Sequence, residues 1–87
     1  MKNERERVQT DIKKLIEIIK KFEELGYSKK HAHAYSWAKN YLEDAAHFFE
    51  KGDYFTAFGC ANYAYGIIDG ILITEESVQE RKEKNRG

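Results

Sequence analysis

The sequence predicts an all-α protein, an up-down-up three-helix bundle with a charged C-terminal extension. Three observations predict it. Proline is absent from all 87 residues, so nothing forces a break inside a helix. Apolar residues recur at three- and four-residue steps in three separate stretches, which is the period of an amphipathic helix. Those stretches part at Gly26 and at Gly52-Asp53, and glycine supplies the left-handed residue on which helices commonly end.

The first helix is expected from about Glu4 to Leu25. Val8, Ile12, Leu15, Ile16, Ile19 and Phe22 form its apolar stripe, and Lys13–Glu17, Glu17–Lys21 and Lys20–Glu24 are spaced to pair on the opposite face. Gly26 closes this helix, with Ser28 as the expected N-cap of the next. The second helix is expected over about Lys29–Lys51. Its apolar half carries Ala34, Trp37, Ala38, Tyr41, Leu42, Ala45, Phe48 and Phe49. Gly52 then stops it and Asp53 starts the third at once, which makes the two antiparallel neighbours.

The third helix is expected over about Tyr54–Ile73 and is apolar over about 220° of its circumference on a helical wheel. Two neighbours would cover only part of that arc. The remainder, near Tyr63 and Ile67 or near Phe58 and Tyr65, calls for a second chain, unless the first helix or the tail folds over it through Val78. The expected core is centred on Ala45, Phe49, Ala57, Ala61, Ala64 and Ile68, where alanines let helices approach closely. The bundle domain is placed at residues 1–73. Residues 74–87, TEESVQERKEKNRG, read as a mobile tail or a frayed helical extension.

Composition removes several classes of function. Fifteen basic residues balance fifteen acidic ones, and without a basic block neither nucleic acid nor an anionic membrane is expected as partner. No apolar run approaches the ~18 residues of a membrane span, and MKNERERV lacks an apolar signal region. A lone cysteine, Cys60, gives no internal disulfide, so a cytoplasmic location is expected. The many Lys/Glu pairs suit a protein from a hot environment.

The segment Tyr41–Ala64 is similar to a single tetratricopeptide unit: Tyr41, Ala45 and Phe48, then Gly52-Asp53-Tyr54, then Ala57 and Ala64 match its small and aromatic positions. It departs from that unit at Asp44 and Asp69, and there is no second copy to stack on, so the likeness implies convergent hairpin packing. A broader pattern, Tyr41, Asp44 and Ala45, then Gly52, Asp53 and Ala57, then Tyr63, Ala64, Gly66 and Asp69, resembles a family of short archaeal proteins catalogued as a domain of unknown function. That resemblance implies a three-helix bundle and an archaeal source, and no activity.

Enzyme readings find no motif. Cys60 has no histidine at helical spacing, and no Ser-His-Asp order, phosphate loop or His-Glu-x-x-His occurs. An arginine followed four to six residues later by histidine, as in small helical ribonucleases, is also missing. His33, Asn40, Asp44 and His47 share one stripe of the second helix, but it stretches over some 20 Å, too far for one ion to use all four. The stripe reads as a solvated face, and His31 and His33 point to different sides. No cofactor is implied and no metal should be required. Asp44, at the border of the apolar face, is expected to hydrogen-bond a Tyr or Trp of a neighbouring helix.

Gly59, Gly66 and Gly70 lie together on the third helix, each costing roughly 0.8–1 kcal/mol relative to Ala. Either another backbone approaches there, from the first helix or a second chain, or a ligand lies in the groove with Asn62 and Asp69 as contacts. The expected function is a non-catalytic protein–protein interaction or homodimerisation module, with Asp44, Tyr63, Tyr65, Gly66 and Asp69 as candidate binding or interface residues. The alternative is a small-ligand or divalent-metal binder in which Asp44, Asp53, Asp69 and Tyr63 form the site.

Overall fold

Four helices follow one another in the computed structural model, which describes residues 3–85: α1 (Glu4–Glu24), the single turn α2 (Tyr27–Lys30), α3 (Ala32–Glu50) and α4 (Tyr54–Asn85). No strand occurs among the described residues. The three long helices run up, down and up. The arrangement is flattened, 53 × 30 × 17 Å, and α4 packs against both α1 and α3.

Local chemistry explains each boundary. Asn3 caps α1, its side-chain oxygen accepting from the Glu6 amide at 2.8 Å, which satisfies one of the orphan N–H groups of a helix start. Gly26 ends that helix at φ +80°, with its N–H on the Glu23 carbonyl. Tyr27, just past the end, lays its ring edge-on against Phe22 at 5.6 Å, the apolar contact that often accompanies such a terminus. At the second turn Gly52, also at φ +80°, donates to Phe49 and Asp53 donates to Phe48. These are the two bonds of a Schellman motif. Asp53 also accepts from the Thr56 amide at 3.1 Å, so it caps α4 as expected.

The start of the second helix departs from expectation. Ser28 is no cap: it lies inside α2, and the chain bends at His31 (φ −121°, ψ 51°) before α3 begins. The bend turns His31 away from capping duty, because its imidazole bonds a carboxylate on α4 instead. The third helix is also longer than expected. It passes Ile73 without a break and continues to Asn85, the helical one of the two alternatives for the tail.

The core combines Val8, Leu15, Ile19 and Phe22 of α1 with Ala38 and Ala45 of α3 and with Ala57, Ala61, Ala64 and Ile68 of α4. The expected alanine seam is therefore buried. Phe49 sits at its edge, partly buried between the Tyr54 ring and the Arg5 guanidinium, which lies 5.2 Å from its centroid. Ile16 is half exposed, since it lies about 80° round the wheel from Val8. Trp37 is 46% exposed for the same reason, about 100° from Ala38.

Candidate functional site

Between Tyr54 and Thr74 the only charged residue is Asp69, although a full face of this helix looks away from the bundle. Its inner side carries Ala57, Ala61, Ala64 and Ile68. On the wheel, Phe55, Gly59, Asn62, Gly66, Gly70, Ile73 and Ser77 fall on the opposite side. Phe55 is 83% exposed and Ile73 59%. A Cβ added at Gly59, Gly66 or Gly70 would meet nothing within 4 Å. Of the alternatives for these glycines, close approach by α1 is therefore not realised: α1 reaches the border of this face, where its side chains line grooves with Phe55, Asn62 and Ile73, while the glycines themselves face open space.

The Asn62 amide is taken up by its own helix, donating to the Phe58 carbonyl at 3.0 Å, as the Thr74 hydroxyl does to Gly70 at 2.8 Å. Along the α3 edge runs a ladder of rings. His33 lies 6.0 Å from Trp37, Trp37 6.2 Å from Tyr41, and Tyr41 4.7 Å from Tyr63. Tyr63 remains 52% exposed. Neither α1 nor the extension covers it, and Val78, the residue expected to fold over the strip, is itself exposed.

The five candidate residues are spread over both sides of α4. Tyr63 belongs to the ring ladder on the α3 side. Tyr65 and Asp69 line a groove with Lys14, Glu17 and Lys21 of α1. Gly66 lies between them on the outer face. Asp44 is exposed on α3 and makes no hydrogen bond among the described residues, so the expected bond to a Tyr or Trp is not formed. Burial pushes the Cys60 thiol above its ordinary range, with the charges of Asp44 and Asp53 adding to the effect. Those two acids thus act near Cys60, while Asp69 lies toward α1. The acids of the ligand-binding alternative do not converge, and among the described residues no three His, Cys, Asp or Glu side chains come together as a metal would need.

Two features escaped the sequence reading. One is Glu75, 8% exposed and the sole buried charged residue among the described ones. Its carboxylate accepts from Lys30 Nζ at 2.8 Å and lies 3.0 Å from His31 Nε2. The Lys30 ammonium, and after it His31, hold the Glu75 carboxyl below its usual range, and Glu75 in turn raises Lys30. The signal was available: Glu75 follows Ile68 by seven residues, on the same stripe as the alanines. The other is a groove of about 550 Å³ between the first turns of α1 and α4, walled by Val8, Tyr54, Phe55 and Phe58 with Arg7 and Asp11 at its rim.

A small helical bundle, without strands among the described residues, whose third long helix is apolar on both faces is the class of protein that these features define. Residues 6–75 match the family model described as protein of unknown function (DUF357), and the chain belongs to that family. The matched segment takes in the hairpin, the glycine face and Glu75, and stops before the charged end of α4. No curated protein and no solved structure matches the chain. No described helix is long and apolar enough to cross a membrane.

Proposed function

We propose that the chain is a non-catalytic interaction module that docks through the outer face of α4, on a second copy of itself or on another protein. The observation that carries this reading is the exposure of Phe55, Tyr63 and Ile73 around glycines that the fold itself does not use. Exposed aromatic and aliphatic residues are enriched in interface cores, and here they surround the uncharged Gly59, Asn62, Gly66 and Gly70, with charged residues of α1 and α4 along the border. Of the sequence candidates, Tyr63 and Gly66 belong to this face. Tyr65 and Asp69 flank it, and Asp44 lies outside it.

A cytoplasmic setting, an archaeal source and a hot habitat are part of the same reading. They rest on the single cysteine, the sequence pattern and the charged composition. The expected Lys–Glu pairs of α1 add no support, since ion pairs among the described residues are those of Lys30 and His31 with Glu75. We also keep residues 1–73 as the bundle unit and 74–87 as its extension. A second reading, binding of a small amphipathic ligand, is favoured by the groove beside Phe55 and Phe58, whose apolar walls and charged rim suit such a molecule. It replaces an acidic site on α3 and α4, where the carboxylates stand apart.

Photo-crosslinking in host cells tests the interaction reading. A photoreactive residue at Phe55 or Ile73 should give discrete adducts of defined mass, whereas one at Lys13 or Lys39, on charged faces, should give none. Equal labelling at all four positions, or none at any, would remove it.

A further inference from the structure

We infer that the recess between the Trp37 and Tyr63 rings, on the seam of α3 and α4, is a binding site for an organic cation, an alkylated ammonium group, with Asp44 as its outlying counter-charge. This goes beyond the docking of α4 and shares only Tyr63 with it. The recess holds about 250 Å³, with Ala34 and Ile67 between its two aromatic walls and His33 beside them. Tyr41 bridges the walls: its ring centroid lies 6.2 Å from that of Trp37 and 4.7 Å from that of Tyr63, at interplanar angles of 61° and 41°. Rings inclined in this way do not stack flat on one another, and they wall a space instead of filling it. Both walls stay about half exposed, Trp37 at 46% and Tyr63 at 52%.

Ring faces attract a cation held within about 6 Å of their centroids, tryptophan most strongly. Elsewhere the chain meets this demand with its own side chains: the Arg5 guanidinium lies 5.2 Å from the Phe49 centroid and the Lys39 ammonium 6.0 Å from that of Tyr35. Trp37, Tyr41 and Tyr63 have no such occupant among the described residues. An ammonium bearing methyl groups suits the recess better than a bare one. Its charge is spread over a larger group, so leaving water costs it less, and its methyl groups meet the apolar Ala34 and Ile67.

The charges at the two ends of the recess favour the same sign of guest. Asp44 stands about 5 Å further along the α3 axis than Tyr41, exposed and without an ion-pair partner among the described residues. After burial, its charge does most to raise the Cys60 thiol, and Cys60 is one turn before Tyr63, so Asp44 acts on this seam. At the other end Lys30, four residues before Ala34, is neutralised by Glu75 at 2.8 Å. The uncompensated charge beside the rings is therefore negative, within about a Debye length of the recess. A neutral apolar guest would fill the same space and leave Asp44 without a role.

Trp37 is the sole tryptophan of the chain, so its fluorescence reports the recess directly. Titration with choline should change that fluorescence with a Kd of roughly millimolar. Dimethylbutanol, the uncharged carbon isostere of choline, should bind about tenfold more weakly. Tyr63→Leu, which keeps apolar bulk and removes the ring, should weaken choline about tenfold and leave dimethylbutanol unchanged, with the helicity of the parent in circular dichroism. Asp44→Asn should weaken choline about twofold at low salt, and the difference should fade as salt rises. A peptide carrying trimethyl-lysine, measured beside its unmethylated twin, separates the two sources of such a cation. Tighter binding of the methylated peptide than of choline assigns the site to a protein side chain, equal binding assigns it to a free amine, and either supports the site. Equal affinity for choline and dimethylbutanol would overturn the cation, and no response to choline or to the methylated peptide would overturn the site. Neither result touches the docking of α4, which the photo-adducts at Phe55 and Ile73 read separately.

Discussion

The inner face of α4 presents Ala57, Ala61, Ala64 and Ile68 to the other helices, all closed to solvent, whereas its outer face presents Gly59, Gly66 and Gly70 to open space. Both faces are built of small residues, but the choice of residue separates them. Alanine has the best helix propensity and still lets a neighbour come close, so it serves the seam within the chain without conformational loss. Glycine gives up roughly 0.8–1 kcal/mol per position in a helix interior, and nothing inside this chain returns it. A residue type that costs the monomer stability and brings it no contact points outside the monomer.

The comparison breaks most readily on the inner side. Ile68→Ala should destabilise the chain by about 2–5 kcal/mol, because it opens a cavity at a fully buried site between helices. Ala61→Leu should cost about 1–3 kcal/mol by overpacking the seam. Chemical denaturation of both variants checks this, and a neutral Ala61→Leu would mean the helices are not held at alanine distance. Asp53→Ala, which leaves both faces alone but removes the cap where α4 begins, should cost about 1 kcal/mol. An unchanged melting temperature would show that the Gly52 turn suffices without its carboxylate.

On the outer side the sign should reverse. At dilutions where the chain is monomeric, Gly66→Ala should stabilise it by about 0.8–1 kcal/mol, since the new methyl group meets no atom of the chain. A loss of monomer stability would mean that the glycine serves the fold after all.

Much of the inner face was legible in the sequence, because alanines at three- and four-residue spacing admit few other uses and the run Gly52-Asp53 marks a stop and a start in adjacent residues. The glycine face was visible as an oddity, but its direction was not. A wheel shows which residues share a side and leaves open which neighbour, if any, lies against them. The errors fell where a long-range contact overrode a local signal. Ser28 has the chemistry of an N-cap, yet the backbone bend sits at His31, whose side chain is drawn to a carboxylate forty-four residues away in sequence. The seven-residue step from Ile68 places Glu75 on the inner stripe, but its partners Lys30 and His31 lie on another part of the chain and leave no local pattern of their own.

The clasp formed by Lys30, His31 and Glu75 gives the smallest expected effect and concerns the end of α4, beyond both faces. The carboxyl is held below the ordinary glutamate value of 4.5, chiefly by Lys30 and then by His31. A group with a depressed folded pKa contributes stability above its unfolded pKa and loses it as pH falls through the folded value. The clasp should therefore hold at neutral pH and release in acid, below about pH 4.5. The loss should appear first in α4 beyond Glu75, where residues 76–84 are exposed and have no other anchor. Hydrogen exchange at neutral pH should find the turn from Glu75 to Gln79 less protected in Glu75→Gln than in the parent, and acid should erase the difference. Lys30→Ala should lie between the two, since His31 remains as a partner. If the difference between parent and Glu75→Gln persisted at pH 3, protonation of this carboxylate would not be what releases the helix, and its burial would be a matter of packing alone.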